Sequence, residues 1–196
     1  MVEYMKSNHK HFKTPCTVND DSKVWTFSFC EIKEDAVCNH HEADTRMIYY
    51  AIESDQPVVI VSDDTDVLIL MIYAHSKSRS SETWLMKIAQ GKFVDVGIIQ
   101  DHYGAELCGV LPNYHAITGS DFTSFPYGVG KIKPFRKMIK TRQASLLLTN
   151  LGEKITDEVI NKCLGFIQTV MYPGIQGQSY VDTRIKMYEK QKERVA

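Results

Sequence analysis

The stretch VVIVSDDTDVLILMIYAHS, residues 58–76, decides the fold. It opens with Val58 to Ser62, a short and almost wholly apolar run rich in β-branched residues, the pattern of a strand buried in a parallel sheet. The run gives out at Asp63-Asp64-Thr65-Asp66, and the long apolar segment that follows has the length of a helix. A strand that ends in a polar turn and leads into a helix is the building unit of an α/β domain.

Working outward, EADTRMIYYAIES (residues 42–54) places Met47, Ile48, Tyr50, Ala51 and Ile52 on a helical face. Asp55-Gln56-Pro57 then closes that helix. Lys23 to Ile32 is rich in aromatic and β-branched residues and predicts a strand. Residues 1–22 are polar, carry turn signals and are expected to be a flexible N-terminal segment. Downstream, Thr83 to Val96 predicts a hairpin turning near Gln90-Gly91. Ile98 to Ala116 is mostly helical with a break around Leu111-Pro112, and residues 117–131 form a glycine-rich loop. The basic segment KIKPFRKMIKTR (residues 131–142) follows, and then two or three helices, the last being DTRIKMYEKQKERV (residues 182–195).

Composition narrows the class. A chain of 196 residues makes one domain, and 43% hydrophobic content argues against disorder. The longest apolar run, Val67 to Ala74, is far short of the roughly 18 residues a membrane span needs. The polar, basic start MVEYMKSNHKHFK is no secretory signal, and the five scattered cysteines suit free thiols in a reducing compartment. An intracellular protein, nuclear or cytoplasmic, is therefore expected. With a net charge of −1, any hold on nucleic acid must come from a local basic patch.

Three acidic signals stand out. Glu42 and Asp44 open a helix, Asp63, Asp64 and Asp66 sit where a strand ends, and Asp121 follows Gly119-Ser120. Sites in open parallel sheets form at the carboxyl ends of strands, and carboxylates meeting there repel unless a hard cation neutralises them. Each signal also has a plainer explanation. Asn39 and Glu42 suit a capping box, Asp63 or Asp64 a helix cap, Asp66 a first helical turn, and Asp121 an ordinary turn.

The ordered set HEADTRMIYYA, DDTDVLILMIYA, LPNYHAITGSD and GVGKIKPF resembles the internal part of PIN-like nucleases of the flap endonuclease family. It is similar in wording to a group of uncharacterised, often transposon-associated invertebrate proteins that themselves resemble flap nucleases. The resemblance spans about residues 40 to 140. It implies a three-layer α/β/α PIN-like domain with a mainly parallel sheet over residues 23–196, with a helical part from about residue 131. It implies hydrolysis of phosphodiester bonds in DNA or RNA, with Glu42, Asp44, Asp64, Asp66 and Asp121 holding one or two Mg²⁺ or Mn²⁺ ions. Asp63 would be a cap or support the ligands. Gly128 and Gly130, with Lys131, Lys133, Arg136 and Lys137, would hold the nucleic-acid backbone.

The family also begins with a strand bearing another aspartate and adds a further one before the acidic helix. The roughly 40 residues ahead of Glu42 are too few for that half. A fragment, an N-terminally truncated product and a domain that has lost activity are the open alternatives. The rival function is therefore a catalytically inactive nucleic-acid-binding or scaffold module. A phosphatase-like hydrolase using Asp64 or Asp66 as nucleophile would need them after the first strand of its domain, and a strand and helix are expected before them. Cys30, Cys38, His40 and His41 match no standard zinc spacing, and no G-x-S-x-G is present.

Overall fold

The structure, a computed structural model, describes residues 14–17, 24–28, 31–35, 42–78, 84–121, 123–126, 128–151, 154–175, 177 and 179–195. It is a mixed α/β chain, mainly helical, in two compact units, Met1–Arg46 and Met47–Ala196. The first unit holds an antiparallel meander of β1 (Thr14–Thr17), β2 (Val24–Ser28) and β3 (Glu31–Asp35). β1 falls inside residues 1–22, where composition predicted no element. β2 and β3 divide the segment that read as one strand, with Ser28 opposite Glu31 in the register.

Helix α1 (Ala43–Ile52) contains the boundary between the units. The second unit continues through β4 (Val58–Val61), α2 (Thr65–Lys77), β5 (Trp84–Lys87), β6 (Phe93–Asp95), α3 (Val96–Cys108) and α4 (Leu111–Thr118). It ends with α5 (Ile132–Lys140), α6 (Arg142–Leu146), α7 (Asp157–Phe166) and α8 (Tyr180–Val195).

The strand–turn–helix at residues 58–77 forms as the sequence reads. β4 pairs in parallel with β5, and α2 buries Val67, Met71, Ile72 and Ala74 along one stripe. That spacing of three to four residues is the signature of one helical face against a core. His75 and Lys77 in its last turn complement the helix dipole.

Two expectations about the sheet are corrected. The sheet is not mainly parallel, because β5 and β6 pair antiparallel across the short 3₁₀ turn Ala89–Gly91, the expected hairpin. A link that short joins only antiparallel strands. Nor is β4 a buried strand. Among the described residues its one sheet neighbour is β5, and Val59 and Val61 are 52% and 70% exposed while Ile60 is buried. A continuously apolar run is therefore here a one-sided edge strand.

One core of the second unit is built from α1, β4, α2, β5, β6 and α3, with Trp84, Met71 and Met86 at its centre. The other gathers α4 to α8 around Phe166, Leu148 and Met138. Phe135 of α5 packs against both, its ring 5.6 Å from Tyr114 and 5.8 Å from Tyr103. Among the described residues no helix is long and apolar enough to cross a membrane.

Candidate functional site

The turn after β4 is held by its own polar groups. Ser62 N–H donates to the Lys87 carbonyl at 3.1 Å, fixing the strand end, and Ser62 Oγ accepts from Asp64 N–H at 3.1 Å. Asp63 accepts the Ala89 N–H and so ties the turn to the β5–β6 connection. Asp64 is the N-cap of α2, with Oδ1 accepting Asp66 N–H at 2.9 Å. The plainer explanation, a helix cap, thus describes the contacts of Asp64, whereas Asp63 is bound to the β5–β6 connection. Asp66, in the first turn of α2, has Oδ1 2.7 Å from His115 Nε2 on α4.

That contact is close but not aligned as a hydrogen bond, and Nε2 is buried without a hydrogen-bond partner. The other ring nitrogen, Nδ1, lies 3.1 Å from Lys131 Nζ. An ammonium has only donors, so Nδ1 must present its lone pair and the proton resides on Nε2, facing the carboxylate.

Asp121 stands exposed at the tip of a turn closed by the Ser120–Thr123 bridge. Thr123 Oγ1 donates to the Ala116 carbonyl at 2.8 Å and accepts Ser120 N–H at 2.8 Å. The turn requires glycine at its root. Gly119 has φ 106, and a Cβ there would stand 2.5 Å from Phe125 Cβ.

Glu42 is exposed just ahead of α1, where its carbonyl accepts Thr45 Oγ1 at 3.1 Å, and Asp44 lies in the first turn. Both belong to the first unit, whereas Asp64, Asp66 and Asp121 belong to the second. Among the described residues no group of three or more histidine, cysteine, aspartate or glutamate side chains is arranged to hold a metal ion. His9, His11, Cys30, Cys38, His40, His41, Phe122 and Tyr127 lie outside the described residues.

The basic candidates are brought together more fully. Gly128 (φ 74), Gly130, Lys131, Lys133 and Lys137 line one cavity of about 720 Å³. Tyr114 donates its hydroxyl to the Lys131 carbonyl, which also accepts Phe135 N–H at 3.1 Å, so the glycine turn is locked to α4 and to the first turn of α5. Burial pushes the Tyr114 phenol up to about 12, which keeps it a donor at neutral pH. Lys137 Nζ donates to the Thr169 carbonyl, while Lys133 is exposed and enters no ion pair among the described residues. Arg136 is exposed but does not line the cavity. Arg142 is engaged elsewhere, with Nη2 2.7 Å and Nε 3.3 Å from the Glu106 carboxylate.

Sequence reasoning missed the far wall of this cavity. Lys190 of α8 adds a fourth lysine, and Val170, Met171, Tyr172, Ile175 and Met187 form an apolar side. Nothing in their local sequence links them to the glycine turn. No family model, no curated protein and no solved structure matches the chain.

Proposed function

We propose that this chain binds the sugar–phosphate backbone of nucleic acid, as a module of flap-nuclease type. The observation that carries the reading is the cavity at the glycine turn. Lys131, Lys133, Lys137 and Lys190 line it together with Gly128 and Gly130, and no acidic residue is among the described lining. A concave surface of one sign focuses its field and concentrates a polyanion. Glycines let backbone N–H groups approach a phosphate, and lysines neutralise the neighbouring ones without reading sequence.

The test is fluorescence anisotropy with a labelled duplex DNA and a labelled duplex RNA over a range of NaCl concentrations. Engagement of three or four phosphates gives a slope of about −3 in log K against log salt. Binding that is absent at low salt, or indifferent to salt, sinks the reading.

Phosphodiester hydrolysis supported by Mg²⁺ or Mn²⁺ is the second reading. It is favoured by the position of Asp63, Asp64 and Asp66 beyond the carboxyl end of a parallel strand. Cleavage of labelled substrates in Mn²⁺ but not EDTA, lost in an Asp64→Ala/Asp66→Ala variant that still binds DNA, establishes it. Binding without cleavage leaves the inactive module.

A further inference from the structure

Helix α8 (Tyr180–Val195) buries one side and leaves an apolar stripe on the other. Thr183 and Met187 are buried, and Met187 belongs to the core around Phe166. Thr183 Oγ1 accepts Gln168 Nε2 at 3.1 Å, which anchors the helix to its unit. At about 100° per residue, Val181, Ile185 and Tyr188 fall within an arc of roughly 60° on the far side from that face. They are 64%, 52% and 61% exposed. A helix packed on one face ordinarily turns charged and polar residues to water. α8 instead gives water three large apolar side chains in a row.

The spacing of the stripe is that of a paired helix. Val181, Ile185, Tyr188 and Lys192 are four, three and four residues apart, the d-a-d-a order of a coiled-coil seam. The two flanks of the seam differ in charge. Arg184 and Gln191 occupy the g positions, and Asp182 and Glu189 the e positions.

We propose that the outer stripe of α8 docks on the same stripe of a second copy of this chain, with the two helices parallel about a two-fold axis. The proposal is independent of the backbone-binding reading, because Met187 and Lys190 line the cavity from the other side of the helix.

Charge selects this occupant. In a parallel pair each g residue faces the e residue five places on in the other helix. Arg184 therefore meets Glu189 of the partner subunit, and two-fold symmetry repeats the pair. In an antiparallel pair like flanks meet, so the acidic flank would face itself. A membrane surface fits poorly too, since anionic headgroups attract helices with basic polar faces and repel the flank of Asp182 and Glu189.

The association is weak and reversible. The stripe spans less than two heptads, and an isolated coiled coil is sustained over about three to four. Here the helix is already held on its unit by Thr183 and Met187, so pairing does not have to nucleate it. Lys192 at an a position lowers the stability of the pair. Its Nζ lies 4.9 Å over the Tyr188 ring, which holds the ammonium along its own helix.

The experiment is sedimentation equilibrium of the full chain over about 1 µM to 1 mM, the span in which weak interfaces titrate. The expected result is a reversible monomer–dimer equilibrium. Ile185→Lys, with its melting temperature retained, weakens it about tenfold or more, the effect of charging the centre of an interface. Arg184→Glu and Glu189→Arg each weaken it about threefold to tenfold, since each sets like charges across both flanks. An equimolar mixture of those two variants regains the association, because every flank then meets its opposite, whereas a merely damaged fold would not recover. A chain that stays monomeric at the highest concentration overturns the proposal. A dimer indifferent to Ile185→Lys overturns it by placing the contact elsewhere, and Tyr188→Lys gives the same reading where Ile185→Lys does not fold. A dimer lost in Ile185→Lys but indifferent to both charge reversals overturns the parallel alignment. Oligonucleotide binding is measured separately, so the dimer and the backbone reading stand or fall alone.

Discussion

His115 Nε2 on α4 lies 2.7 Å from Asp66 Oδ1 on α2, while Nδ1 of the same ring lies 3.1 Å from Lys131 Nζ. One partly buried imidazole thus spans from the acidic turn after β4 to the lysine that closes the glycine turn. The two sets of candidate residues in the second unit are mechanically joined.

That bridge predicts a specific tautomer. In its neutral form the ring of His115 carries its proton on Nε2, and long-range ¹⁵N–¹H correlation spectra distinguish this from the Nδ1–H form. His115→Ala leaves Asp66 and Lys131 without the ring between them. A loss of about 1–3 kcal/mol in urea unfolding is expected, and unchanged stability would mean that the bridge does not form in solution.

Asp64 separates capping from charge. Asp64→Ala removes the acceptor for Asp66 N–H and should cost about 0.5–2 kcal/mol. Asp64→Ser keeps a capping oxygen and should recover most of that loss. If Mn²⁺-dependent cleavage exists, Asp64→Ser still abolishes it, because a hydroxyl does not replace a carboxylate on a hard cation.

The two loop glycines differ in what they tolerate. Gly119→Ala combines a strained φ with a Cβ 2.5 Å from Phe125 Cβ and should cost about 2 kcal/mol or more. Gly130→Ala meets nothing within 4 Å and should be close to neutral in melting temperature. Equal destabilisation of the two would refute the loop geometry.

Tyr114 supplies a pH signature. Its folded pKa of about 12 is raised above the ordinary 10 by burial, so its stabilising contribution is whole below pH 10. It is lost as pH rises from about 10 through about 12. Tyr114→Phe removes this titration together with the bond to the Lys131 carbonyl. The variant should be less stable at neutral pH, and the gap should close in alkaline solution. A gap that is constant from pH 8 to 12 would contradict the assignment.

Lys133 tests the cationic wall. Lys133→Ala should weaken binding to duplexes of different sequence by the same factor and reduce the salt slope by about 1. A change that depends on sequence would instead place Lys133 against base edges.

The strand–turn–helix of residues 58–77 and the 84–95 hairpin were legible because their information is local. A β-branched run, an aspartate cap and apolar residues three to four apart all act within one element and its turn. Gly119 and Gly128 were legible as turn glycines for the same reason, since positive φ is a property of one residue. The exposure of Val59 and Val61 was not, because an apolar run does not say how many layers will cover it.

What the sequence determined by itself was therefore the type of the elements between residues 42 and 118, the caps and turns that bound them, and the order of acidic and basic segments along the chain. What only the tertiary structure decided was which of these segments meet. Asp66, His115 and Lys131 converge, and Lys190 faces the same cavity as Gly128, because α4, α5 and α8 pack on shared cores that join distant stretches of chain. Hydrophobic burial is nondirectional and rewards area rather than sequence proximity, so its outcome is fixed by the whole packing problem and not by any segment read alone.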